Sequence, residues 1–140
     1  MTNISKKALD PGQLAKLFKQ FNLIISKLTS TSSTDFLEEL LGHEERIMLA
    51  KRLAAIALCI EGKSIYRISI SLNLSPSTAE RIYNAYKSGS FTSIEKNLTR
   101  NANTFNEFLR TLEVILRGGL PPRTGRDRAH LWFKKRSFTE

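Results

Sequence analysis

Apolar residues recur at helical intervals along most of the chain. Leu14, Leu17, Phe18, Phe21, Ile24, Ile25 and Leu28 share one face of a helix over 11–28. Asp10-Pro11-Gly12-Gln13 supplies its start, with an N-cap, a proline at the first helical position and a Gln reaching back. The Ser/Thr run over 29–34 reads as a loop, and 35–41 as a short helix capped by Ser32 or Ser33. Gly42 is a weak cap, and Glu44 and Glu45 follow where a helix dipole favours negative charge. Residues 47–60 are apolar almost all round, which predicts a helix buried on most sides, with Gly62 as its left-handed stop.

The second half is patterned in the same way. Residues 64–72 form a short helix with Ile65, Ile68 and Leu72 inward. Ser75-Pro76 opens another, which stops at Gly89. Thr92 and Glu95 have capping-box spacing and open a helix over 93–117, closed by Gly118-Gly119. Its stretch 97–104 is rich in Asn and Thr, poor helix formers, so a break is possible there. The Ile/Ser alternation in SIYRISISL imitates a strand, but its flanking caps argue for helix. The expectation is an all-α fold of six helices over 1–118, followed by a basic tail over 119–140.

Charge narrows the function. The 140 residues suffice for one domain, and the net charge of +9 favours an anionic partner such as nucleic acid. The charge is concentrated at the ends. Residues 1–28 hold five lysines against one aspartate, and 118–140 hold six bases against two acids. Residues 29–60 carry five acids against three bases. A lone cysteine points to a reducing, cytoplasmic setting, and no apolar run is long enough to span a membrane. The opening MTNISKKALDPG has no apolar stretch behind its lysines and does not read as a signal peptide.

Signals for an enzyme, a cofactor or a metal are missing. Cys59 sits in an apolar helix, without the His, Lys or Arg neighbours that lower a thiol pKa. His43 and His130 lack partners at ligand spacing. Glu44 and Glu45 are adjacent and so do not share a helix face.

Residues 62–89, GKSIYRISISLNLSPSTAERIYNAYKSG, carry the informative pattern. Two short helices flank a turn over 73–76, so 64–88 reads as a helix-turn-helix. Asn73 suits the left-handed position of the turn, Leu74 plugs the gap, and Ser75 caps the second helix. Ala79, Ile82, Tyr83 and Tyr86 form its inward stripe. Ser77, Thr78, Glu80, Arg81 and Asn84 face out, as on a helix entering a major groove. The candidate DNA contacts are Lys63, Tyr66, Arg67, Ser75, Ser77, Thr78, Glu80 and Arg81. An αα-hairpin with a solvated polar face is the plainer alternative.

The segment from Leu40-Leu41 through Glu45-Arg46, Leu49, Arg52, Gly62, Ile68, Leu72, Ser75-Pro76-Ser77-Thr78 and Arg81 resembles the core of tryptophan-repressor-family regulators. The resemblance covers 36–89 well and 11–28 in pattern only. It implies a six-helix, intertwined homodimer that binds double-stranded DNA sequence-specifically as a transcriptional regulator, a repressor. Its two heads would enter successive major grooves about 34–36 Å apart. Arg52 and Arg81 match the two arginines that grip L-tryptophan in the family. Gly42 and Ile82 depart from that pocket, one by losing a hydroxyl and one by adding a side chain, so L-tryptophan is not expected as corepressor.

Two other readings remain open on the sequence. One is a DNA-targeting module of a recombination or replication system, with the chemistry on another chain. The other is a helical protein-interaction module without DNA. In the tail, Leu131, Trp132, Phe133 and Phe138 are interleaved with the six bases. Disordered tails are usually aromatic-poor, so residues 130–133 are expected to dock while the bases contact phosphate.

Overall fold

A computed structural model of the chain describes residues 9–116. The described residues form seven helices and no strand. These are α1 (Pro11–Ser26), α2 (Ser30–Leu40), α3 (His43–Ile60), α4 (Ile65–Leu72), α5 (Pro76–Lys87), α6 (Thr92–Arg100) and α7 (Ala102–Leu116). The chain divides into two compact units, Met1–Leu49 and Ala50–Glu140. The basic tail, the Gly118-Gly119 stop and His130 lie outside the described residues.

The first unit has well-formed helix starts and little core. The Asp10 carboxylate accepts the N–H groups of Gly12 and Gln13, and Pro11 needs no partner because it has no N–H. The expected loop over 29–34 is instead the cap and first turn of α2. Thr29 Oγ1 accepts the Ser32 N–H at 3.2 Å, and Ser32 Oγ accepts the Thr29 N–H at 2.9 Å. Hydroxyl-rich runs break helices in mid-span, but at a start they satisfy the orphan N–H groups. Arg46 pairs with Glu38 at 2.9 Å. At the start of α3, the Glu45 carboxylate reaches back to the Gly42 N–H at 2.8 Å, which makes Gly42 a better-supported cap than its residue type suggests. Neither α1 nor α2 buries a residue.

The second unit holds the core. Ala54 to Cys59 of α3, Ile68 and Leu72 of α4, Ala79 and Ile82 of α5, and Phe105, Leu109 and Leu112 of α7 form one buried cluster. The expectation that 47–60 is buried on most sides holds only from Ala54 onward; Ile47, Met48, Leu49 and Leu53 are exposed.

The helix expected over 93–117 breaks within its Asn- and Thr-rich stretch 97–104, giving α6 and α7. Asn97 Nδ2, Thr99 Oγ1 and Asn101 Nδ2 all donate to carbonyls one turn earlier, competing with the backbone ladder. The chain leaves the helix at Asn101, and α7 restarts with the Phe105 N–H on the Asn101 carbonyl at 2.9 Å. The capping box at Thr92 does not form. Phe91 occupies the N-cap position, and the Thr92 hydroxyl donates back to the Gly89 carbonyl at 2.7 Å.

Candidate nucleic-acid interface

Three successive helices end by one device, and it sets the geometry of the site. After α3, the Lys63 N–H bonds Leu58 O at 3.0 Å and the Gly62 N–H bonds Cys59 O at 2.9 Å. After α4, the Leu74 N–H bonds Ser69 O at 2.9 Å and the Asn73 N–H bonds Ile70 O. After α5, Ser90 and Gly89 repeat the pattern on Ala85 and Tyr86. Each is a Schellman closure, which needs a left-handed residue: Gly62 at φ 74°, Asn73 at φ 49° and Gly89 at φ 83°. Asn is the non-glycine residue best suited to that conformation, so the turn keeps a side chain where glycine is usual.

Each closure leads into the next start. Ser64 Oγ accepts the Arg67 N–H at 3.2 Å and opens α4. Ser75 Oγ accepts the Thr78 N–H at 3.2 Å and opens α5, with Pro76 behind it. The two helices are joined by three residues, of which Leu74 is half-buried against the core. Ser69 adds a bond that its place in the helical pattern does not announce. Its hydroxyl donates to the Leu74 carbonyl at 2.8 Å.

With the inner faces of α4 and α5 committed to the core, the outer faces present the candidate residues. Tyr66 is 71% exposed and Arg67 is exposed, both on α4. On α5, Ser77, Glu80, Arg81 and Asn84 are exposed, while Ala79 and Ile82 are buried and Tyr83 and Tyr86 pack against the core. Lys63, just before α4, is half-buried. Ser75 caps α5 as its residue type predicts, whereas Thr78 departs from the outward-facing picture. Thr78 is half-buried, and its Oγ1 accepts the Ser75 hydroxyl at 2.8 Å, so both hydroxyls are held within the cap. Ser77 Oγ lies 3.2 Å from Ser75 Oγ and completes a hydroxyl cluster at the positive end of α5.

Arg52 is exposed on α3 and Arg81 is exposed on α5. Ile82, which the resemblance sets against the indole, is buried in the core of the second unit. Cys59 is buried, and burial pushes its thiol up from 9.0 to about 11, with Lys87 pulling it partly back. A lysine is therefore near Cys59 after all, brought by α5. Burial outweighs it, and the thiol stays protonated and unreactive at neutral pH. Lys87 also sits 5.3 Å from the Tyr83 ring centre, at the negative end of α5.

A family model described as a homeodomain-like domain matches residues 49–93, which covers the end of α3, the whole of α4 and α5 and their turn. No curated protein and no solved structure matches the chain. The match supports a helix-turn-helix of the DNA-binding kind. It is coarser than the resemblance to tryptophan-repressor regulators. Among the described residues, no helix is long and apolar enough to cross a membrane.

Proposed function

We propose that this chain is a sequence-specific, double-stranded-DNA-binding transcriptional regulator, a repressor of the tryptophan-repressor kind, acting as a homodimer in the cytoplasm. It would bind and not catalyse. The observation that carries the reading is the exposed face of α5. Ser77, Glu80, Arg81 and Asn84 project from a helix whose opposite side is locked into the core and whose N-terminus is fixed by a hydroxyl cap. A solvated hairpin in a bundle needs neither that turn chemistry nor a net charge of +9.

Roles divide by side-chain chemistry. Arg81 is long enough to pair bidentately with a guanine edge, and Glu80 can accept from cytosine. Lys63, Tyr66 and Arg67 lie where α4 would cross the backbone, and suit phosphate. Ser75 and Thr78 position the helix through its cap, and Ser77 can meet a phosphate at the positive end of α5. L-tryptophan is proposed to have no effect on DNA affinity, and Arg52 to serve as an exposed charge.

Uncovered apolar surface supports the dimer. Leu17, Phe18, Phe21 and Ile24 of α1, and Ile47, Met48 and Leu49 of α3, are exposed in the single chain. Two helices without a buried residue are marginal by themselves, and a second copy is the commonest cover.

Selection of bound duplexes from random DNA at a stated salt concentration tests the reading. Recovery of a short palindrome supports it. Retention without any enriched sequence, or none at all, would sink it in favour of a targeting or protein-interaction module.

A further inference from the structure

Lys51 makes a long-range bond at the helix-turn-helix. Ser64, Ser69 and Ser75 bond to groups within five positions of themselves. The Lys51 ammonium reaches 22 residues along the chain, to the Asn73 carbonyl at 3.5 Å. Its place on α3 explains the reach. Lys51, Ala54, Ala55 and Leu58 recur at three- and four-residue intervals and share a face. The last three are buried, and Lys51, one turn earlier, is half-buried while Arg52 and Leu53 beside it are exposed. The lysine stem thus continues the core-facing stripe and carries its charge out at the end, toward the turn.

The target is the carbonyl of the left-handed residue that closes α4. The Asn73 and Leu74 N–H groups are used in the closure, and Ser69 holds the Leu74 carbonyl. The Asn73 carbonyl lies at the negative end of α4, where an ammonium is favoured. Ser69 therefore holds the turn from within, and Lys51 holds it from a neighbouring helix.

We infer that Lys51 is a positioning residue: through the Asn73 carbonyl it ties α3 to the turn, and so fixes the direction in which α5 presents Arg81. The inference rests on the DNA-binding reading only for its consequence. The bond to the turn itself stands without DNA. A lysine on this basic surface could instead touch phosphate, and the two roles differ in a measurable way. A phosphate contact releases counterions and adds to the salt dependence, whereas a positioning bond does not.

The test uses the full chain as wild type, Lys51→Met, which keeps the stem without the charge, and Lys51→Arg. Amide exchange of Leu74 is read in the free protein. Binding to a selected site and to random duplex is read across a range of salt. Lys51→Met should speed Leu74 exchange and weaken the selected site by about fivefold each, on the scale of one modest hydrogen bond. Random-duplex binding and the salt slope should stay at wild-type values, and Lys51→Arg should restore both properties. A slope reduced by about 0.9, with equal weakening on both DNAs, would make Lys51 a phosphate ligand and overturn the inference. Unchanged Leu74 exchange overturns it whatever the DNA shows. If the wild-type protein binds neither duplex, the DNA-binding reading falls, and Leu74 exchange still decides whether Lys51 holds the turn.

Discussion

Ser69 and Leu74 hold each other twice: the Leu74 N–H donates to the Ser69 carbonyl at 2.9 Å, and the Ser69 hydroxyl donates to the Leu74 carbonyl at 2.8 Å. The pair closes a ring across the end of α4, and α5 begins one residue later at its cap. Ser69→Ala removes only the second bond and leaves a half-buried carbonyl short of a partner. Its expected cost is about 1 kcal/mol of stability, measured by urea unfolding. No change in the midpoint would mean that water replaces the hydroxyl.

Asn73 tests the turn directly. With φ 49° and ψ 52°, it occupies the left-handed region. Asn73→Gly should leave stability within a few tenths of a kcal/mol. Asn73→Val should lower it by about 1–2 kcal/mol, because a β-branched side chain crowds the carbonyl there. Thermal unfolding of the two variants should separate clearly.

Arg81 and the tail are expected to do different work on DNA. Arg81→Ala should weaken a selected site by about 1–3 kcal/mol and random duplex far less. Lys63→Ala should weaken both alike. Truncation after Gly119 removes six bases. The salt slope should then fall by about 0.9 for each phosphate the tail no longer neutralises, with sequence preference intact. Disappearance of that preference on truncation would show that the tail reads bases.

Assembly should appear in solution as concentration dependence. If a second copy covers the exposed faces of α1 and α3, sedimentation at micromolar concentration gives a dimer and the melting temperature rises with concentration. A monomer with a concentration-independent melting point would refute that cover.

Cys59 predicts a pH effect with a definite sign. Its thiol is raised in the folded protein, from 9.0 to about 11, by burial. The neutral thiol's contribution is therefore complete below about 9 and is lost as pH rises through about 11. The stability difference between wild type and Cys59→Ala should shrink across that window. A difference that stays constant from pH 8 to about 11 would mean the thiol is not desolvated as its burial implies.

Local chemistry is legible along the chain wherever one residue satisfies its near neighbours. The Asp10, Ser64 and Ser75 caps, the left-handed Gly62 and Asn73, and the inward Ile68, Leu72, Ala79 and Ile82 follow from residue type and helical spacing. The caps and left-handed closures join groups at most five residues apart, so a short window of sequence contains both partners, and helical spacing alone marks the inward face. The Ser/Thr run at 29–34 and Thr92 depart from expectation because a hydroxyl serves equally as cap, first-turn residue or loop, and only the path of the chain selects among them. Tertiary structure decided the remainder. It set where α3 passes from exposed to buried, placed Lys87 near Cys59, and brought Lys51 to the Asn73 carbonyl. Each joins groups 22 or more residues apart or depends on which helix covers a face, and a repeating pattern of apolar positions carries no information about which neighbour will fill it.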